Sequence, residues 1–195
     1  SGANPKVVTT ADPILSASGE NVTVSGIEFD ARYTGALGSH LIDFQSGSAN
    51  ATFDANTLNV TLNGNDNSGY GFLSARGADT EITSSEFNDD YSGSNGNPYV
   101  QVVGDADRSL VDDNTMDSFG GVMVGSENVT VSNNDLTVVA GGVYTSDSSS
   151  SDPKNLLIDN NNIYQNDAHG SDGGSGIMLA QGDDITIQKN LIDGT

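Results

Sequence analysis

The chain has 195 residues, of which 27 are Asp or Glu and only 6 are Lys or Arg, for a formal net charge of −21. A surface so acidic repels a polyanion, which sets nucleic acid aside as a partner. There is no Cys, so neither a disulfide nor a thiolate metal site holds the chain, and no run approaches the roughly 20 apolar residues that membrane insertion requires.

In chain order, Ser1 to Asp12 follow no recognisable frame and lead into, or cap, what comes next; they carry no charged-then-apolar leader, as in a mature or trimmed product. From Val22 onward one motif recurs. It reads VTVSGIEF at Val22, ATFDANTL at Ala51, TEITSSEF at Thr80, SLVDDNTM at Ser109, VTVSNNDL at Val129, LLIDNNNI at Leu156 and ITIQKNLI at Ile185. The starts are 29, 29, 29, 20, 27 and 29 residues apart, and a period in this range signals a solenoid. The third residue of every copy is apolar (Val24, Phe53, Ile82, Val111, Val131, Ile158, Ile187), and so is the eighth (Phe29, Leu58, Phe87, Met116, Leu136, Ile163, Ile192). Alternation in runs this short predicts strands rather than helices.

The sixth residue is Asn in five copies: Asn56, Asn114, Asn134, Asn161 and Asn190. Stacked coil on coil, an Asn at a tight turn bonds the backbone it bends and the copies above and below, and it tolerates a left-handed conformation if the turn requires one. The residue before each start (Asn21, Asn50, Asp79, Arg108, Asn128, Asn155, Asp184) reads as a second structural ladder. A further apolar strand precedes each copy by about seven residues, at 13–15, 41–44, 71–73, 99–102, 121–124, 142–144 and 176–179. The register of the copy at 71–73 stays open, because one slip reverses every side chain.

The segments Gly176 to Leu179, Asp184 to Ile187 and Asn190 to Ile192 read G-I-M-L, D-I-T-I and N-L-I. They resemble the repeat of the right-handed parallel β-helix of the pectate-lyase-like superfamily, and the resemblance runs from about Ile14 to Ile192. It implies an all-β fold: one domain over residues 1–195, a right-handed parallel β-helix solenoid of about seven coils with three short strands per coil. The last coil stops at Thr195 without a polar cap, so the expectation is a natural chain that continues. On function the resemblance is nearly silent, since the superfamily includes lyases, hydrolases, epimerases, viral tail spikes and adhesins.

In that superfamily the segments after the third strand overhang the first sheet and build the substrate groove. Here they fall at 31–40, 63–69, 89–97, then very short at 117–120 and 139–141, then 165–175, which leaves the sheet open over coils five and six. A Ser-rich insertion at 146–153 reads as a solvated loop.

Polysaccharide lyases of this fold need a base beside positive charge that stabilises an enolate-like intermediate. The cations available are six, and the catalytic-type candidates are Arg32, Tyr33 and His40, which share one groove-side loop; a solvated loop around a partly buried Tyr is the plainer alternative. The polygalacturonase signatures N-T-D, G-H-G and R-I-K and the Asp-Pro-His-Glu motif of alginate epimerases are missing; Asp167-Ala168-His169-Gly170 shares only part of one of them. For a cofactor, Asp66, Asp89, Asp90, Asp167 and Asp172 offer hard oxygen ligands to Ca²⁺, without the spacing of an EF-hand or a calcium β-roll, so solvated loop acids are the simpler account.

For binding, the outward face of the first sheet carries Asp43, Tyr99, Gln101, Met123, Tyr144 and Met178, an aromatic and amide stripe suited to sugar rings. The leading expectation is therefore an extracellular, salt-adapted β-helix domain that binds a polysaccharide or cell-surface glycan along that sheet. The acids are spread through every coil, as on proteins of high-salt environments, rather than clustered for Ca²⁺. N-x-T sequons at Asn21, Asn50, Asn59 and Asn128 fit an extracellular or cell- or virion-surface location, although the repeat itself explains most of them. The alternatives are an assembly module of a surface fibre, surface layer or tail spike that self-associates end to end or as a trimer, and a polysaccharide lyase or epimerase.

Overall fold

The computed structural model describes residues 4–33, 40–62, 71–89, 100–145, 153–166 and 174–194. Among them the chain is built from strands alone, twenty in number. They stack in three parallel columns, because each copy of the repeat supplies one short strand to each side of a coil.

The first column holds β2 (Leu15–Ala17), β5 (Ile42–Phe44), β8 (Leu73–Ala75), β11 (Val100–Val103), the later halves of β13 (Thr115–Gly125) and β15 (Asp135–Thr145), and β18 (Ser175–Leu179). The second holds β3 (Thr23–Ser25), β6 (Thr52–Asp54), β9 (Glu81–Thr83), β12 (Leu110–Asp112), β14 (Thr130–Ser132), β16 (Leu157–Asp159) and β19 (Thr186–Gln188). The third begins with β1 (Lys6–Thr9) and continues through β4 (Glu28–Tyr33), β7 (Thr57–Leu62), β10 (Glu86–Asp89), the earlier halves of β13 and β15, β17 (Asn162–Gln165) and β20 (Leu191–Gly194). The columns pair in register at the repeat spacing, as in Val24↔Phe53↔Ile82 of the second and Phe29↔Leu58↔Phe87 of the third.

Three features of the fold differ from the sequence reading. β1 pairs in parallel with β4, Val7 opposite Phe29, so the leader contributes an extra third-column strand. It lacks the Asn-turn frame, which is why the repeat did not disclose it. In coils one and three the first-column strand lies two residues later than expected, at Leu15 and Leu73; in the latter Leu73 and Ala75 point inward and Ser74 outward. The short links at 117–120 and 139–141 are not loops at all: β13 and β15 run through the corner as single 11-residue strands, with a register shift between Ser118 and Gly120. This fusion merges the first and third columns into one 13-stranded sheet beside the 7-stranded second sheet.

The inward ladders form one continuous core. Over the first three coils it is aromatic, with Phe53 stacked between Phe29 and Phe87 at ring separations of 6.4 and 5.8 Å, and Phe72 tilted against Phe87 at 5.6 Å. The expected inward residues Ile42, Phe44, Val100, Val102, Val122 and Val124 are fully buried, while on the last described coil Leu179, Ile187 and Ile192 are exposed.

The turns on both sides of the second column hold the coil together. The asparagine column is an uninterrupted hydrogen-bonded ladder: the backbone N–H groups of Ile27, Ser85, Asn114, Asn134 and Asn161 donate to the Oδ1 of the Asn one coil on, at 2.9 to 3.0 Å. Each amide then reaches back, as Asn134 Nδ2 does to Val111 O at 3.0 Å and to Ser132 O at 2.8 Å. The left-handed residue of this turn is not the Asn but its predecessor: Gly26, Ala55, Ser84, Asp113, Asn133, Asn160 and Lys189 have φ between 48 and 65°. The second structural ladder, Asn21 to Asp184, is left-handed in every coil, with φ of 52 to 61°. A side chain in this region costs about 1 kcal/mol, least for Asn and Asp, which accounts for the residue types that dominate the ladder from Asn21 to Asp184.

Candidate functional site

Each sheet of a three-sided solenoid offers one outward face, and the residue types on the three faces differ. The third sheet presents polar rungs such as Asp30, Asn59, Asn88, Asp117 and Thr137. The second alternates hydroxyl and carboxylate (Ser25, Asp54, Thr83, Asp112, Ser132, Asp159), and its two outward leucines, Leu110 and Leu157, are separated by Thr130. Among the described residues only the first sheet places apolar side chains on three successive rungs. There the register aligns Ser16, Asp43, Ser74, Gln101, Met123, Tyr144 and Met178 in one line.

The middle of this line is recessed and its two ends are exposed. Ser74 is 1% and Met123 7% exposed although both face outward, whereas Met178 is 48% exposed and Tyr144 half-buried. Gln101 Nε2 approaches Met123 Sδ at 4.0 Å, joining the amide to the apolar end. Of the expected stripe, Asp43, Gln101, Met123, Tyr144 and Met178 are brought together; Tyr99 lies outside the described residues. Ser74 joins the stripe in the coil whose register was ambiguous.

The other end of the stripe is polar. Arg76, one residue past β8, turns its guanidinium back over the outward face, and Nη2 donates to both Asp43 carboxylate oxygens at 2.6 and 2.7 Å. His40, just before β5, faces Asp43, Arg76, Gln101 and Asp12; its burial lowers the imidazole pKa, against the pull of the Asp43 carboxylate. The sequence showed neither this neighbourhood nor the part Arg76 has in it, since Arg76 and Asp43 are 33 residues apart and meet only across coils.

The structure distributes Arg32, Tyr33 and His40 differently from one shared loop. Arg32 and Tyr33 are successive strand residues and leave opposite faces of β4. Arg32 is outward and bidentate to Asp30, at 3.0 and 2.7 Å, and Lys6 adds a contact to the same carboxylate at 3.3 Å. Those partners, Arg32 first, hold the Asp30 carboxyl down to about 2, and Asp30 in turn raises the Arg32 pKa. Tyr33 is inward, its hydroxyl donating to the Ala11 carbonyl, and burial together with the Asp12 charge pushes its pKa up to about 12. His40 alone of the three stands at the stripe.

Of the residues considered for Ca²⁺, Asp89 ends β10 and is half-buried; Asp66, Asp90, Asp167 and Asp172 lie outside the described residues. Among the described residues no three His, Asp or Glu side chains converge to hold an ion. All six Lys and Arg are ion-paired: besides Lys6, Arg32 and Arg76, Arg108 meets Asp79 at 2.6 Å, Lys154 meets Glu127 at 3.2 Å and Lys189 meets Asp159 at 3.3 Å.

Parallel strands in three columns, a hydrogen-bonded Asn turn and one continuous core are the geometry against which the comparison with known families is decided. The right-handed β-helix region matches residues 14–195, nearly the whole chain. The chain belongs to this family. The stack is therefore a right-handed β-helix, and the extra strand β1 precedes the matched region. No curated protein and no solved structure matches the chain.

Proposed function

We propose that this β-helix is a carbohydrate-binding domain that holds a polysaccharide along its first sheet, outside the cell and in a salt-rich medium. The observation that carries the reading is the in-register run Gln101, Met123, Tyr144 and Met178, found on one face of three. A sugar ring offers apolar C–H faces ringed by hydroxyls, and a recessed thioether and aromatic floor next to an amide complements both. β13 and β15 cross the corner with no intervening loop, so the rungs at Met123 and Tyr144 are continuous with the third sheet. An extracellular or cell- or virion-surface location follows from the ligand class. Binding is favoured over β-elimination because the one Arg at the stripe is already held by a carboxylate.

The test is retention of the intact chain on a panel of immobilised polysaccharides, with Tyr144→Ala alongside. Loss of one half-buried aromatic contact is expected to weaken binding by about three- to tenfold. Unchanged retention of Tyr144→Ala, or no retention of the parent on any polysaccharide, would overturn the proposal.

A further inference from the structure

We infer that Asp43 sets the charge class of the ligand: by holding Arg76 in a closed ion pair it makes the groove select neutral over anionic sugars. The inference rests on the glycan-groove reading above and asks what the polar end of that groove recognises. An acidic sugar needs a cation to receive its carboxylate, most often a guanidinium whose fork matches the two oxygens. Arg76 is the Lys or Arg that reaches the first sheet. Lys6 and Arg32 bond Glu28 and Asp30 on the third sheet, Arg108 and Lys154 pair beside the turn before the second strand, and Lys189 meets Asp159 on the second sheet.

Both oxygens of Asp43 accept from Arg76 Nη2; the Asp43 side chain is 16% exposed and that of Arg76 44%, so a carboxylate set into the surface neutralises a guanidinium that faces the sheet's outer side. His40 adds no second cation at neutral pH, because burial keeps the imidazole neutral. Asp12 adds a further negative charge beside it. Among the described residues the groups facing this end are thus two carboxylates, one guanidinium and a neutral imidazole, with Gln101 as the amide. That set offers donors and acceptors to hydroxyls and a net negative field to a carboxylate. Asp43→Asn keeps the shape and removes the charge that neutralises Arg76, leaving the guanidinium charge to an incoming carboxylate.

The experiment titrates the intact chain, Asp43→Asn, Arg76→Gln and the double variant with neutral β-1,4-linked gluco-, xylo- and manno-hexasaccharides and with hexagalacturonate, at one fixed ionic strength. Thermal unfolding of each variant confirms the fold. The parent is expected to bind a neutral oligosaccharide in preference to hexagalacturonate. Asp43→Asn is expected to gain roughly tenfold or more for hexagalacturonate, the scale of one charge-assisted hydrogen bond. Arg76→Gln gains nothing, and the double variant loses what Asp43→Asn gained. Parent binding of hexagalacturonate as tight as of the neutral sugars, or no gain in Asp43→Asn, overturns the inference and leaves the groove standing; no binding of any sugar by the parent overturns both.

Discussion

Asn134 shows what one residue does in this fold. Its Oδ1 accepts from Asn114 N and Nδ2, both at 3.0 Å, and its Nδ2 donates to Val111 O, Ser132 O and Asn161 Oδ1. Its side chain is buried, so Asn134→Val strands the Asn114 N–H and the Val111 carbonyl of the preceding coil. Each stranded group costs about 1–3 kcal/mol, and the variant is expected to lose about 3 kcal/mol or more in denaturant unfolding. The natural rung Ser85 shows a milder form: its hydroxyl still accepts from Asn56 N at 3.1 Å and donates to Thr83 O at 2.8 Å. Asn134→Ser is therefore expected to cost less than Asn134→Val, and equal losses would refute the ladder account.

This ladder was legible in the sequence because identical residues recur at the coil spacing and bond their own kind. Which residue of the turn is left-handed was open in the sequence, and it is the one before the ladder Asn. The polar end of the stripe was illegible for a different reason: Asp43, Arg76, His40 and Gln101 are unlike residues that occur once each, and no periodicity points from one to another.

At the scale of elements, the decisive event is the fusion of third- and first-sheet strands in β13 and β15. Their paths cross the corner so closely that a Cβ on Gly121 would lie 2.0 Å from the Gly142 carbonyl oxygen, and one on Gly142 would lie 2.5 Å from both the Gly176 oxygen and Ile163 Cγ2. Backbone cannot step aside as a flexible side chain does. Gly142→Ala is expected to cost at least about 2 kcal/mol, on the scale of an overpacked core, lowering the thermal midpoint by several degrees. An unchanged midpoint would mean that the corner is looser than its geometry. The sequence displayed these glycines and the short links, yet it did not say that a short link means no turn, because whether a corner is a loop or a bent strand depends on how the neighbouring coil passes.

Across the whole molecule, the register of successive coils turns scattered residues into continuous faces, and the charge of −21 sets the conditions under which those faces operate. With every Lys and Arg already paired, the remaining carboxylates repel one another over a screening length of about 10 Å at 0.1 M salt and about 3 Å at 1 M. The thermal midpoint is expected to rise by several degrees between low and molar NaCl. Ca²⁺ is expected to do no more than its ionic strength accounts for; a sharp rise at millimolar Ca²⁺ would instead establish a bound cation and displace the salt-adapted account.

The central claim is that one outward face of three binds the glycan. The most direct measurement is a titration of one polysaccharide retained by the parent against three single variants, Tyr144→Ala on the first sheet, Leu110→Ala on the second and Tyr164→Ala on the third. The account predicts that Tyr144→Ala weakens binding by about three- to tenfold and that the other two leave it unchanged. Loss of affinity in Leu110→Ala or Tyr164→Ala, with Tyr144→Ala binding like the parent, would place the ligand on another face and contradict the account.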